Sequence, residues 1–210
     1  QTNFFGKLGF EPAVDEDFTP VLETLEALAE QVRLGKIRYI GLSNETPWGV
    51  MQFLHLAQTH DWPRIAAIQN PYNLLNRTYE IGLAEISDRE NCPLAAYSPL
   101  AFGALTGKYL SGAQPAGARL TLFPYFDRYS AENARQATQA YVDLARQHGL
   151  DPAQMAIAFV QAQSFTASTI IGATSMEQLA VDISAFELKL SDGLLEEIDK
   201  IHQHIPNPAP

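Results

Sequence analysis

The stretch GKIRYIGLSNE, residues 35–45, runs a hydrophobic strand straight into a polar tip. Ile37, Tyr39, Ile40 and Leu42 supply the strand, and Ser43, Asn44 and Glu45 follow at once. A single ending of this kind reads as helix capping, because Ser and Asn accept hydrogen bonds from the orphan N–H groups of a helix start. Three later strands end in a comparable way, and that repetition decides how the chain is read.

Working outward, Thr19 reads as an N-cap and Pro20 as a first helical residue. Val21, Leu22, Leu25, Leu28, Ala29 and Val32 then recur at helical spacing, and Gly35 stops the helix. After the strand Ile37–Leu42, Thr46-Pro47 opens a helix reaching about His60. RIAAIQN (64–70) is the next strand, followed by a helix over 78–91, and PLAAYSP (93–99) is the third. Helices over 131–149 and 152–163 precede a fourth strand, STIIGA (168–173). Helices over 176–186 and, capped by Ser191, to about His204 complete the order. Residues 1–18 show no sustained period and read as an irregular entry loop continuing from something upstream, with 19–210 as one unit.

Short apolar strands separated by amphipathic helices imply an α/β fold with parallel pairing and helices covering the sheet. The first strand starts recur about 28–29 residues apart, the length of a βα unit. The third interval is longer, and residues 100–130, rich in Gly, Pro and aromatics, read as a long functional loop. Four strands suit either a doubly wound open sheet or part of a (β/α)8 barrel, which needs eight over roughly 250 residues. Both architectures place ligands at the carboxyl ends of strands.

Those ends read Ser43-Asn44, Gln69-Asn70, Tyr97-Ser98 and Gly172-Ala173-Thr174. Ser, Asn and Gln satisfy the donors and acceptors of a ligand carboxamide, and a Tyr ring offers a flat stacking platform. Each residue taken alone is explained by capping or turn formation. Their recurrence at equivalent places favours a shared site suited to a nicotinamide head group.

Composition narrows the partners. The 210 residues carry a formal net charge of −10 and no basic stripe, which argues against nucleic acid. No apolar run approaches the roughly 20 residues that span a bilayer, so no membrane partner is expected. The one cysteine, Cys92, suits a reducing cytoplasm and reads as a buried inert thiol.

GKIRYIGLSNE, IQNPYNLLNR (68–77), AYSPLAFGALTGKY (96–109) and IIGATSMEQL (170–179) resemble the signatures of the aldo-keto reductases. The likeness runs from Thr19 onward and is nearest to the branch holding bacterial NADP-dependent reductases and potassium-channel β subunits. It implies a (β/α)8 TIM barrel of which this chain supplies strands five to eight and extra C-terminal helices. It also implies NADP as cofactor and a small-molecule aldehyde or ketone as substrate. Ser43, Asn44 and Gln69 would hold the nicotinamide carboxamide, and Tyr97 would stack on the ring. Ser98, Pro99, Leu100, Ala101 and Gly103 would follow the pyrophosphate, where small residues let backbone N–H groups approach. Lys108 and Arg119 would bear on the phosphates, although either also reads as a solvated surface cation. Gly172, Thr174, Gln178 and Asp182 would close over the adenosine end. There the chain departs from the family pattern, with Val181 and Asp182 where Glu and Asn are usual, so adenine recognition is the least complete part of the carried-over site.

The resemblance places the catalytic Asp, Tyr, Lys and His in the first half of the barrel, and no catalytic acid is assigned here. The chain alone is therefore expected to be inactive. It reads as the C-terminal portion of a reductase, with a non-catalytic NADP-binding module or a silent fragment as alternatives. Bare sheet edges and an uncovered interior face favour self-association. Other motifs carry less. GALTGKY (103–109) has three residues between its glycines and Tyr109 after Lys108, so it is not a phosphate-binding P-loop. His202 and His204 read as solvated, as do His55, His60 and His148, and Glu45 reads as a capping residue, with contact to substrate as the alternative. Phe102, Phe123, Tyr125 and Phe126 either line an entrance or pack against the cofactor or a neighbouring chain.

Overall fold

The computed structural model describes residues 19–210, so the expected entry loop lies outside the described residues. Helix α1 (Val21–Arg33) leads into β1 (Ile40–Ser43), α2 (Pro47–Thr59) and β2 (Ile65–Gln69). Then follow α3 (Leu83–Glu90), β3 (Leu94–Tyr97), the short α4 (Arg119–Leu122), α5 (Glu132–Gln147) and α6 (Pro152–Gln161). β4 (Thr166–Ile170), α7 (Met176–Ser184) and α8 (Asp192–His204) complete the chain.

Local chemistry sets most of these boundaries. Thr46 caps α2 by accepting from the Gly49 N–H at 3.1 Å, with Pro47 in the first turn. Asp151 caps α6, Ser175 caps α7 and Ser191 caps α8 in the same manner. Gly35, at φ +70°, receives the end of α1 as expected. Two details differ. Pro20, not Thr19, occupies the N-cap of α1, with no side-chain cap. The helix expected over 78–91 is broken into a 3-10 turn (Thr78–Glu80) and α3. Gly82 sits at φ +93° between them, and a Cβ there would lie 3.3 Å from the Pro47 ring.

All four strands are parallel, in the order β1-β2-β3-β4. That order has no reversal and hence no topological switch point, which sets aside the doubly wound alternative and fits a partial (β/α) barrel. Leu42, Ile68, Leu94 and Ala96 are buried on the face beneath the helices. Thr169 joins them, its hydroxyl donating to Gln161 of α6 at 3.1 Å. Each fully buried Leu or Ile side chain contributes roughly 1.5–3 kcal/mol. Gly41, Ser43, Gln69, Ser168 and Ile170 point the other way and are exposed. The helices therefore cover one face only among the described residues.

A second anchoring system ties α8 and the last residues to the loop after β2. Arg77 donates to Glu80 and to Asp199 of α8, both at 2.6 Å, and its guanidinium lies over the Phe159 ring. Asn207 accepts from the Arg77 N–H at 2.7 Å, and the Ala209 N–H donates to the Leu75 carbonyl at 3.1 Å. Arg128 donates to the Pro210 carbonyl at 3.1 Å. His202, expected to be solvated, is half-buried with Nδ1 unpartnered among the described residues, and burial pushes its pKa down. The turn of α8 that carries Asp199 to Arg77 also draws His202 inward.

Candidate cofactor-binding site

Register brings the polar tips to one face. Ser43 pairs with Gln69 across β1 and β2, Ile68 pairs with Leu94, and Tyr97 pairs with Ile170. Alternation along each strand then places Ser43, Gln69, Ala95, Tyr97 and Ile170 on the open face, at its carboxyl end. Asn44 leaves the strand in left-handed backbone at φ +55°, a conformation Asn tolerates better than most residues. The Tyr97 hydroxyl donates to Asn44 Oδ1 at 2.7 Å, so two expected site residues are bonded to each other. Burial pushes the Tyr97 phenol pKa up, and the Arg128 guanidinium pulls in the opposite direction.

Buried asparagines hold this arrangement. Asn70 donates to the Glu45 carbonyl at 3.0 Å and accepts from the Glu45 N–H at 3.1 Å. Its own carbonyl accepts from the Tyr97 N–H at 3.1 Å, so one residue links the ends of β1, β2 and β3. Asn73 donates to the Ser98 carbonyl at 3.0 Å and to the Tyr129 hydroxyl at 3.1 Å, and accepts from the Leu75 N–H. Asn73 and Arg128 were not singled out in the sequence; a buried-looking Asn within IQNPYNLLNR was the one available signal for the former. The Glu45 carboxylate accepts from the Thr46 N–H at 2.9 Å, but the side chain that caps α2 is that of Thr46, not the expected Glu45.

After β3 the backbone turns left-handed at Ser98 (φ +56°) and again through Ala101 (+50°), Phe102 (+57°) and Gly103 (+89°). For non-glycine residues this costs about 1–2 kcal/mol each. Pro99 and Ala101 are buried and Leu100 is partly so. The Ala101 and Gly103 N–H groups bond to the Ser98 and Leu100 carbonyls inside the turn, at 2.9 and 2.8 Å. Those two amides are engaged within the turn, in contrast to the expectation that they face a phosphate. The two expected cations do gather here. A Cβ on Gly103 would lie 2.9 Å from Lys108 Nζ, and Arg119 lies 4.4 Å above the Phe102 ring.

The fourth tip is built differently. The Thr174 N–H and hydroxyl both donate to the Gln178 side-chain oxygen, at 2.9 and 3.1 Å, and these residues and Gly172 are exposed. Asp182 does not join them. It is 3% exposed, with Oδ2 unpartnered among the described residues. Burial raises its carboxyl pKa, and the charge of Asp151 adds to the effect. Cys92 is fully buried, and burial pushes its thiol up to about 11. No group of three His, Cys, Asp or Glu among the described residues is arranged to hold a metal. No described helix is long and apolar enough to cross a membrane.

Comparison with known proteins gives this geometry a family. Residues 11–203 match the model of the aldo/keto reductase family. The chain is 59% identical over 209 residues to the protein tas of Escherichia coli strain K12, covering 100% of this chain and 60% of that protein. It is 38% identical over 200 residues to an aldo-keto reductase of Babesia bovis, covering 91% of this chain and 70% of that one. It is 34% identical over 202 residues to the L-glyceraldehyde 3-phosphate reductase of Escherichia coli O157:H7, covering 91% and 56%. The chain thus spans 60% of the length of the tas protein. With its parallel β1–β4 sheet and polar strand tips, this chain belongs to the aldo/keto reductase family.

Proposed function

We propose that this chain forms the NADP-holding portion of an oxidoreductase that reduces a small aldehyde or ketone. The observation that carries the reading is the convergence of Ser43, Gln69 and Tyr97 on one open sheet face, with Asn44 bonded to Tyr97. The residues fit such a cofactor. Ser43, Asn44 and Gln69 offer carboxamide-pairing groups, and Tyr97 offers a ring steadied through its hydroxyl. Lys108 and Arg119 bring positive charge to one turn of an acidic chain. Gly172, Thr174 and Gln178 serve the adenosine end. Bound NADPH supplies a hydride for the carbonyl carbon. The residues of this chain bind and orient; none is assigned as the proton donor, and the chain alone is expected not to turn over. A single buried Cys92 agrees with a reducing cytoplasm as its location.

Titrating NADPH into the purified chain while following Trp48 and Trp62 fluorescence tests the binding clause. A saturable change is expected, and its absence overturns the cofactor reading. Carbonyl-dependent NADPH oxidation by the same sample would refute the inactivity clause. A non-catalytic binding module is the second reading, favoured because the tips serve binding whatever the chemistry. It prevails if the full native polypeptide binds NADPH yet reduces no carbonyl.

A further inference from the structure

Asp182 lies in the second turn of α7, 3% exposed and with Oδ2 unpartnered among the described residues. The helix packs against α6 and the 3-10 turn Ala185–Glu187. Nearby polar groups are committed to one another. Gln154 of α6 donates to the Ser184 hydroxyl at 2.7 Å, and that hydroxyl donates to the Val181 carbonyl at 2.8 Å. These segments also lack positive charge: residues 151–187 contain no Lys, Arg or His, and Lys189 beyond them is exposed. Their charged side chains are Asp151 at the N-cap of α6, Glu177 and Asp182 on α7, and Glu187 in the turn. Glu177 and Glu187 are exposed, so Asp151 is the charge that bears on Asp182. Burying a carboxylate with no counter-ion costs far more than burying the neutral acid, and the docked helix therefore favours the protonated form. The tip of β4 is tied to the same helix. Pairing with β3 ends at Ile170, and beyond it Thr174 holds the Gln178 side chain while the Gln178 N–H donates to Ser175 at 3.3 Å. Loosening α7 loosens that tip.

We propose that Asp182 is a proton-dependent latch: protonated, it lets α7 lie on α6, and ionised, it loosens the helix together with the tip of β4. No dinucleotide takes part, so the latch stands whether or not the chain takes up NADPH. Burial and Asp151 place the folded-state pKa above the ordinary aspartate value. The contribution of the carboxyl is therefore complete below that ordinary value and is lost as pH rises through the folded one. Hydrogen exchange of the ligand-free chain, read by mass spectrometry and corrected for the intrinsic pH dependence of amide exchange, tests the latch. Protection of residues 176–184 is expected to fall about tenfold or more from about pH 4 to about pH 8, while that of α5 holds. Asp182→Asn, neutral at every pH, should keep its protection throughout. Asp151→Asn retains a capping oxygen but removes the neighbouring charge, and should make the loss smaller and complete at a lower pH. Protection that is flat with pH in wild type, an equal fall in α5, or an unaltered fall in Asp182→Asn overturns the proposal. Should Asp182→Asn fail to fold, Asp151→Asn decides: a displaced loss supports the latch, and one identical to wild type overturns it.

Discussion

The tips of β1–β3 and the tip of β4 carry similar polar residues and use them in opposite ways. At the first three, side chains bond across strands: Asn70 to Glu45, Tyr97 to Asn44, Asn73 to Ser98 and Tyr129. At the fourth, Thr174 and Gln178 bond within the local turn, to each other and to Ser175, and remain exposed. Cross-strand bonding with burial makes a rigid platform that exists before any ligand arrives. A local turn keeps its shape at little cost and leaves the neighbouring chain free to adjust. The tips of β1–β3 are thus preorganised, and the tip of β4 is the adaptable one.

The sharpest way to break this contrast is Asn70→Ala. It strips the Glu45 N–H and carbonyl of buried partners and is expected to cost about 2–3 kcal/mol in denaturant unfolding. A loss below about 0.5 kcal/mol would mean that the platform is not held by this residue. Gly103→Ala comes next. It forces a side chain into φ +89° and pushes the Lys108 amine aside, at about 1 kcal/mol of stability, together with weaker NADPH binding. Retained affinity would show that Lys108 does not serve the ligand.

Tyr97→Phe keeps the ring and removes the bond to Asn44, for about 0.5–1.5 kcal/mol. Its effect depends on pH. The folded-state phenol pKa is raised by burial, so its contribution is complete below the ordinary tyrosine value and is lost as pH rises through the folded one. The variant should therefore lose less stability on alkaline titration than wild type, and parallel titration curves would contradict this. Gln178→Ala should be the mildest, within about 0.5 kcal/mol of wild-type stability. A larger loss would show the fourth tip to be as interlocked as the others. Light scattering probes the open face more broadly: self-association is expected, and a compact monomer stable to dilution would count against it.

Strand positions, the parallel arrangement and the caps at Thr46 and Ser191 were legible because period, burial and capping are local. The two alternatives for sheet topology were resolved only by strand order. The break at Gly82 was hidden because the neighbour its missing side chain would meet, Pro47, lies in another helix. Asn73 was missed for the same reason: Ser98 is 25 positions away and Tyr129 is 56. Asp182 shows the converse. Its place in a motif gave a role, but the packing of α7 gave it burial beside Asp151. The aromatics of the long loop had two readings, and in the structure Phe102 and Phe126 gather around Arg119, with Tyr125 tilted against Phe126.

Asn207, Ala209 and Pro210 each meet a residue of the platform or its supports: the Arg77 amide, the Leu75 carbonyl and Arg128, which bears on Tyr97. Deleting residues 207–210 would withdraw these contacts together. The loss would be felt first at the tip of β3, around Tyr97. A purification handle is accordingly better placed away from these residues.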